Sequence, residues 1–306
     1  MTTAIETYEL GKRYGDVTAV NGVTLRVARG EIYAFLGLNG AGKTTTIRML
    51  LGMVRPTRGE VRLLGRKVGD GDRSLWASVG YLVETANAYP ELTVRENLEA
   101  VRRLRPGTPR AAVDVAIERL GLGQYAGRRA GTLSLGNAQR LGIAKALLHK
   151  PALVVLDEPA NGLDPAGIVE IRHLLRQLAQ EQGVTVFMSS HNLGEVSQLA
   201  QRIGIIHQGR LIQELDVAEL ARNRRRQLKV GVRDVEGARA ALLAAGIRAE
   251  ATGNGAVEIR DRRAMERPEE VATRLVYAGY APTLLVTEQE SLEDYFMRLV
   301  GGAVDG

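Results

Sequence analysis

Eight consecutive residues, Gly37-Leu38-Asn39-Gly40-Ala41-Gly42-Lys43-Thr44, carry the spacing G-x-x-x-x-G-K-[ST]. Each part has a chemical reason. Glycines let the backbone turn tightly enough for successive N–H groups to face phosphate oxygens. A helix starting at Lys43 would direct the positive end of its dipole at the same anion. Lys43 would reach the β- and γ-phosphates, and Thr44 would offer its hydroxyl to Mg²⁺. Thr45, on the same first turn, joins the expected ligand set. A second constellation lies in Leu153-Val154-Val155-Leu156-Asp157-Glu158, an apolar run that ends in two carboxylates. If the run is a strand buried in a parallel sheet, both carboxylates emerge at the edge where ligands bind. Asp157 would then hold the magnesium shell, and Glu158 would polarise an attacking water.

Such residues need elements to position them. Glu31–Leu36 is a short apolar run ending in glycine, and Lys43–Met53 places Ile47, Leu50 and Leu51 on one helical face. Asp164-Pro165 reads as a helix cap followed by proline at the first helical position. The helix after it carries Ile168, Ile171, Leu174, Leu175 and Leu178 on one side. Val184–Met188 is a third buried strand. Strands separated by helices imply an α/β fold with helices on the faces of a parallel sheet. Residues 90–150 read instead as nearly all helix, with breaks at Pro106-Gly107, Gly121–Gly123 and Gly127–Gly131. This stretch is expected to be a helical insertion between two strands.

After Leu220 the pattern restarts. Leu228–Val232 is strand-like, and Gly237–Ala245 is helical with Gly246 placed to end it. Arg248–Arg260 reads as a hairpin around Gly253-Asn254-Gly255, with Val257 and Ile259 on one face. Pro268–Ala278 follows as a helix and Pro282–Thr287 as a strand. The order βαββαβ is ferredoxin-like, and Ser291 with Asp294 has a capping-box spacing before a last helix. The expected domains are 1–220 and 221–306.

Composition bounds the function. The chain has 306 residues, 45% of them apolar and 25% charged, as in ordinary globular proteins. With no cysteine, a disulfide scaffold, a cysteine-ligated zinc and a cysteine nucleophile are excluded. No leader pattern opens the chain, and no apolar run approaches the roughly 18 residues of a membrane span. A soluble, cytoplasmic protein is expected. The net charge of +6 is spread along the chain. One cluster, Arg222, Arg224, Arg225 and Arg226, reads either as a solvated linker or as a nucleic-acid arm. The aromatic residues, 3 Phe, 1 Trp and 9 Tyr, are too few for a base-stacking platform.

The remaining marks resemble the ATPase subunit of an ATP-binding cassette (ABC) transporter over about residues 4–220. Leu133-Ser134-Leu135-Gly136-Asn137, followed by Ala138-Gln139-Arg140, sits where that family carries Leu-Ser-Gly-Gly-Gln. Asn161-Gly162-Leu163-Asp164 resembles the D-loop, His191 the switch histidine, and Tyr14 the aromatic residue that stacks on adenine. The chain departs from the family at Leu135 (glycine there), Asn137 (glutamine) and Glu84 (the Q-loop glutamine). Glu84 could still accept from a magnesium-bound water, though it adds negative charge beside a triphosphate.

The resemblance implies a P-loop NTPase cassette with a helical subdomain, plus a small C-terminal α+β accessory domain. It implies ATP and Mg²⁺ as cofactors and a head-to-tail dimer. In that dimer each ATP lies between the P-loop of one copy and Ser134 and Gly136 of the other. Glu158 would orient the water, His191 would contact the γ-phosphate, and Asp164 would link the two sites. Separate transmembrane permease subunits are implied, with the helical stretch after Glu84 as their contact, and so is a place on the inner face of the membrane. The departures and the C-terminal domain resemble the ABC-2 exporter branch that confers immunity to bacitracin and lantibiotics. A soluble ABC ATPase acting on ribosomes or nucleic acid is the competing class, but it usually carries two cassettes, a long coiled coil or a zinc insert. Nucleic acid is therefore not an expected partner. A regulatory cassette without turnover is disfavoured by Glu158 and His191.

Overall fold

Burial decides which runs become central strands. Ile32–Leu36, Leu153–Leu156 and Thr185–Ser190 are buried at every position, as strands covered on both faces must be. The computed structural model describes residues 2–302 apart from 72, 86, 253 and 254. In it the chain divides into two compact units at Val217/Ala218.

The first unit runs β1 (Thr3–Tyr14), β2 (Val17–Ala28), β3 (Ile32–Leu36), α1 (Lys43–Leu50), β4 (Arg58–Leu63), β5 (Arg66–Lys67) and β6 (Val79–Leu82). It continues with α2 (Val94–Arg103), α3 (Ala111–Arg119), α4 (Leu135–Leu147), β7 (Leu153–Leu156), α5 (Pro165–Gln182), β8 (Thr185–Ser190), α6 (Leu193–Ser197), β9 (Arg202–His207) and β10 (Arg210–Asp216). A six-stranded sheet has the order β10-β9-β3-β8-β7-β6. All its pairs are parallel except β10 with β9. A second, antiparallel sheet has the order β2-β1-β4-β5. Ile47 and Leu50 of α1 join Ile5, Leu25 and Val61 of the second sheet to Phe35, Val155 and Phe187 of the first in one core. The helix that follows the phosphate loop is thus clamped between two sheets.

The helical insertion is α2 to α4, entered through a capping box at Thr93 and Glu96. The antiparallel sheet was not legible in the sequence. Register shifts between Thr7 and Leu10 and on to Arg13 break the alternation that would have marked β1. α1 also ends at Leu50, three residues short of the expected Met53, because Gly52 turns left-handed with φ 66°.

The second unit contains α7 (Val217–Asn223, which begins on the boundary), β11 (Arg226–Gly231), α8 (Val235–Ala244), β12 (Ala249–Thr252), β13 (Ala256–Ile259), α9 (Arg262–Glu266), α10 (Pro268–Tyr277), β14 (Leu284–Gln289) and α11 (Leu292–Gly302). Its sheet order is β12-β13-β11-β14, antiparallel throughout, the ferredoxin-like arrangement. β12 and β13 pair as the expected hairpin, whose turn residues 253 and 254 lie outside the described residues. Val257 and Ile259 face a core with Leu228, Val230, Leu242, Val271 and Leu275. The short α9 was not expected. Asp294 N–H donates to Ser291 Oγ at 3.0 Å, so Ser291 caps α11; the return bond runs from the Ser291 hydroxyl to the Asp294 carboxylate.

The arginine cluster belongs to this scaffold rather than to a free linker or arm. Arg224 Nε donates to Glu290 O at 2.6 Å, and Arg225 N–H donates to Glu290 Oε2 at 3.1 Å. Among the described residues no helix is long and apolar enough to cross a membrane.

Candidate nucleotide site

The parallel sheet brings three distant stretches to one edge. β3 lies between β8 and β9, so the loop after it opens beside the ends of β7 and β8. Gly37 N–H donates to Ser190 O at 3.1 Å. A Cβ on Gly37 would stand 2.6 Å from Ile206 O, so only glycine lets the loop leave β3 here. Gly42 has φ 106° as the residue before α1, and a Cβ there would meet Ala19 O at 2.6 Å. The same approach places β2, next to Tyr14 in the β1–β2 hairpin, against the loop.

Lys43 is buried. Its ammonium donates to Gly37 O at 2.6 Å and to Leu38 O at 3.3 Å, and lies 3.3 Å from Glu158 Oε1. Thr44 Oγ1 donates to Asp157 Oδ2 at 2.8 Å, and Ser189 Oγ donates to Asp157 Oδ1 at 2.5 Å. Glu158 Oε2 is 2.9 Å from His191 Nδ1. The Glu158 backbone takes the left-handed φ 49°, a conformation that costs a residue with a side chain on the order of 1–3 kcal/mol. Bonds on both sides hold it there: its N–H donates to Ser189 Oγ at 2.8 Å, and Gln139 Nε2 donates to its carbonyl at 3.1 Å. Lys43, Thr44, Asp157, Glu158 and His191 therefore form one continuous set. Thr44 and Asp157 supply two hard oxygens side by side, which suits a magnesium ion that takes its other ligands from phosphate and water.

Ser189 and Gln139 were missed as site residues. The available signal for Ser189 was a polar residue ending a buried strand beside the carboxylate strand. Gln139 offered only its place two residues after the signature run.

Other expected residues lie elsewhere. Glu84, at φ 59°, pairs with Arg48 of α1 at 2.7 Å rather than with Thr44 or Asp157. Tyr14 ends β1 half-exposed, with the Lys12 ammonium 4.9 Å from its ring centroid. Ser134 caps α4, its Oγ accepting from Asn137 N–H at 3.3 Å. Asp164 caps α5 by accepting from Gly167 N–H at 2.9 Å. No hydrogen bond or ion pair among the described residues joins Ser134 or Gly136 to residues 37–45.

The sequence profile described as "ABC transporter" matches residues 20–161. The bacitracin transport ATP-binding protein BcrA of Enterococcus faecalis is 40% identical over 303 residues, which span 99% of this chain and 98% of that protein. This chain belongs to the ABC transporter family, as an ATP-binding subunit. The lantibiotic transport ATP-binding protein SrtF of Streptococcus pyogenes is 38% identical over 205 residues, 67% of this chain and 87% of that protein. Among solved structures, the cassette MJ0796, a dimer in a post-hydrolysis state bound to ADP and Pi, superposes with TM-score 0.65 at 25% identity. That match covers 70% of this chain and 98% of MJ0796. The cassette is thus a member of an ATP-hydrolysing family.

Proposed function

We propose that this cassette works as a head-to-tail pair with a second copy and drives export of a peptide antibiotic of the bacitracin kind through a separate membrane permease. The observation that carries the pairing is the separation within one chain. Among the described residues, Lys43, Thr44, Asp157, Glu158 and His191 share one sheet edge, while Ser134 and Gly136 make no hydrogen bond or ion pair to residues 37–45, which supports their serving a nucleotide held by a second copy. Similarity to BcrA over nearly the whole chain, second unit included, favours the bacitracin class over SrtF, which aligns with only 67% of this chain. Residues 1–217 then form the nucleotide-binding domain and the rest an accessory domain.

In this reading the phosphates of ATP lie along residues 37–45, and Tyr14 stacks on the adenine. Thr44 and Asp157 would hold Mg²⁺, which would supply positive charge against the phosphates. Glu158, held by Ser189 and Gln139, accepts a proton from the attacking water, and His191 keeps its carboxylate in place. Glu84 acts with Arg48 rather than as a free ligand. The permease docks in a groove of about 750 Å³ between β6, α2 and α4, with Tyr81, Tyr89 and Leu104 among its apolar parts and Arg48, Arg105 and Lys145 among its cations. Docking there places the cassette on the inner face of the membrane.

Expression of this chain with the multi-span permease subunit of a bacitracin exporter, in a bacitracin-sensitive bacterium, is expected to raise bacitracin tolerance, and Lys43→Ala is expected to abolish the gain. Unchanged tolerance with both proteins present at the membrane contradicts the proposed cargo.

A further inference from the structure

The departure at position 135 has a counterpart across the fold. Leu135 opens α4 and is 66% exposed, yet its side chain lies over Gly162. A Cβ built on Gly162 would stand 2.4 Å from Leu135 Cγ and 2.5 Å from its Cδ2. The leucine fills the room that a side chain at 162 would need. Gly136 meets the same loop closely, since a Cβ there would be 2.8 Å from Gly162 O. Two more contacts come from the same helix. Gln139 binds Glu158 O at 3.1 Å, and Arg140 pairs with Glu170 at 2.7 Å. Positions 135 and 139 lie one turn apart, as do 136 and 140, on adjoining strips of one side of α4. That side grips the chain from Glu158, through the loop to Asp164, and on into α5.

We propose that Leu135 is a positioning residue for hydrolysis. Its side chain on Gly162 ties the loop between Glu158 and Asp164 to the first turn of α4. Ser134, which a second copy would use, and Glu158, which serves this chain's own nucleotide, are thereby set as one rigid piece. The inference rests on the paired reading above, because Ser134 meets a nucleotide only in a pair. Leu135 touches no reacting atom; it acts through Gly162 and the loop. Bulk at 135 and its absence at 162 form one complementary contact, so the departure from glycine at 135 is matched rather than merely tolerated. The sensitivity of catalysis to geometry makes the contact matter, since a displacement of about 1 Å at the reacting groups can cost on the order of 10²-fold in rate.

The test uses the full chain with Mg-ATP. Gly162→Ala drives a methyl into Leu135 and is expected to lower kcat about 10- to 100-fold, while ATP affinity, titrated without magnesium, stays at the parent value. Leu135→Ala alone is expected to lower kcat modestly with KM kept. The double variant is expected to return to the kcat of Leu135→Ala, because the room is restored. The left-handed backbone penalty of an alanine at 162 persists in the double variant, so rescue separates the contact from general strain. Gly162→Ala at the parent kcat, or a double variant no faster than Gly162→Ala, overturns the proposal. If Gly162→Ala does not fold, rescue is read on soluble yield and ATP affinity: a double variant that folds supports the contact, and one that does not overturns it. The paired reading is checked separately in Glu158→Gln. No ATP-dependent dimer there overturns that reading and this inference with it. A dimer there, with Gly162→Ala hydrolysing at the parent rate, overturns this inference alone.

Discussion

The two units use similar elements to opposite ends. In the first, parallel strands β3, β7 and β8 all point their C-terminal ends the same way. Residues 37–44, 157–158 and 189–191 therefore meet at one edge although more than a hundred positions separate the first from the last. In the second, every pair is antiparallel, so strand ends alternate between edges. Its charged side chains serve the scaffold. Arg298 grips the buried Glu290 with two bonds of 2.8 Å, and Arg260 reaches Glu250 at 2.9 Å and Glu258 at 3.6 Å. A parallel sheet gathers chemistry from distant sequence, whereas this antiparallel sheet spends its charges on holding itself together.

The largest expected effect on ATP affinity lies at the gathered edge. In the proposed site Lys43→Ala removes a charge-assisted phosphate contact, and it leaves Glu158 without its buried cation. ATP affinity is expected to fall on the order of 10²-fold in a direct titration. A smaller effect is expected at Ser189. Ser189→Ala leaves a lone pair of the buried Asp157 and the Glu158 N–H without partners. Turnover is expected to fall about tenfold with a stability loss of about 1–3 kcal/mol, read by steady-state kinetics and denaturant melts. An unchanged kcat would mean that Ser189 does not orient the carboxylates.

In the second unit the expected effects are smaller and purely structural. The hydrogen bonds from Arg298 hold the Glu290 carboxyl below its usual pKa. A lowered folded value means that the pair stabilises the unit above the ordinary carboxylate range and loses that contribution as pH falls from that range through the lowered folded value. Glu290→Gln is expected to cost about 1 kcal/mol at neutral pH, to shrink towards zero in acid, and to leave ATP affinity unchanged. A pH-independent loss would contradict the role of charge. Smallest of all, removing residues 218–306 is expected to leave ATP affinity at the parent value, and a truncated chain that does not fold would join the two units into one core.

The difference between the units also explains what could be read in advance. The phosphate loop was legible because its residues are contiguous and each glycine has a backbone task. Asp157 and Glu158 were legible because an apolar run must end where the buried strand does. Asp164 announced itself as a cap through Pro165. Partners that depend on folding were not legible. The Arg48–Glu84 pair spans 36 positions and depends on how α1 is turned. Gln139 reaches Glu158 only because α4 packs along the D-loop. The fit of Leu135 to Gly162 was invisible for the same reason, since each residue alone looks like a departure or a flexible turn.

Glu158→Gln tests the central claim most directly, that one sheet edge of one copy and the α4 N-terminus of another make a single hydrolytic site. The amide keeps the shape and removes the base. With Mg-ATP, hydrolysis is expected to slow on the order of 10²–10⁴-fold while ATP stays bound, and the variant is expected to elute from a sizing column as a dimer with ATP and as a monomer without it. Hydrolysis at the parent rate, or slowed hydrolysis with no ATP-dependent dimer, contradicts it.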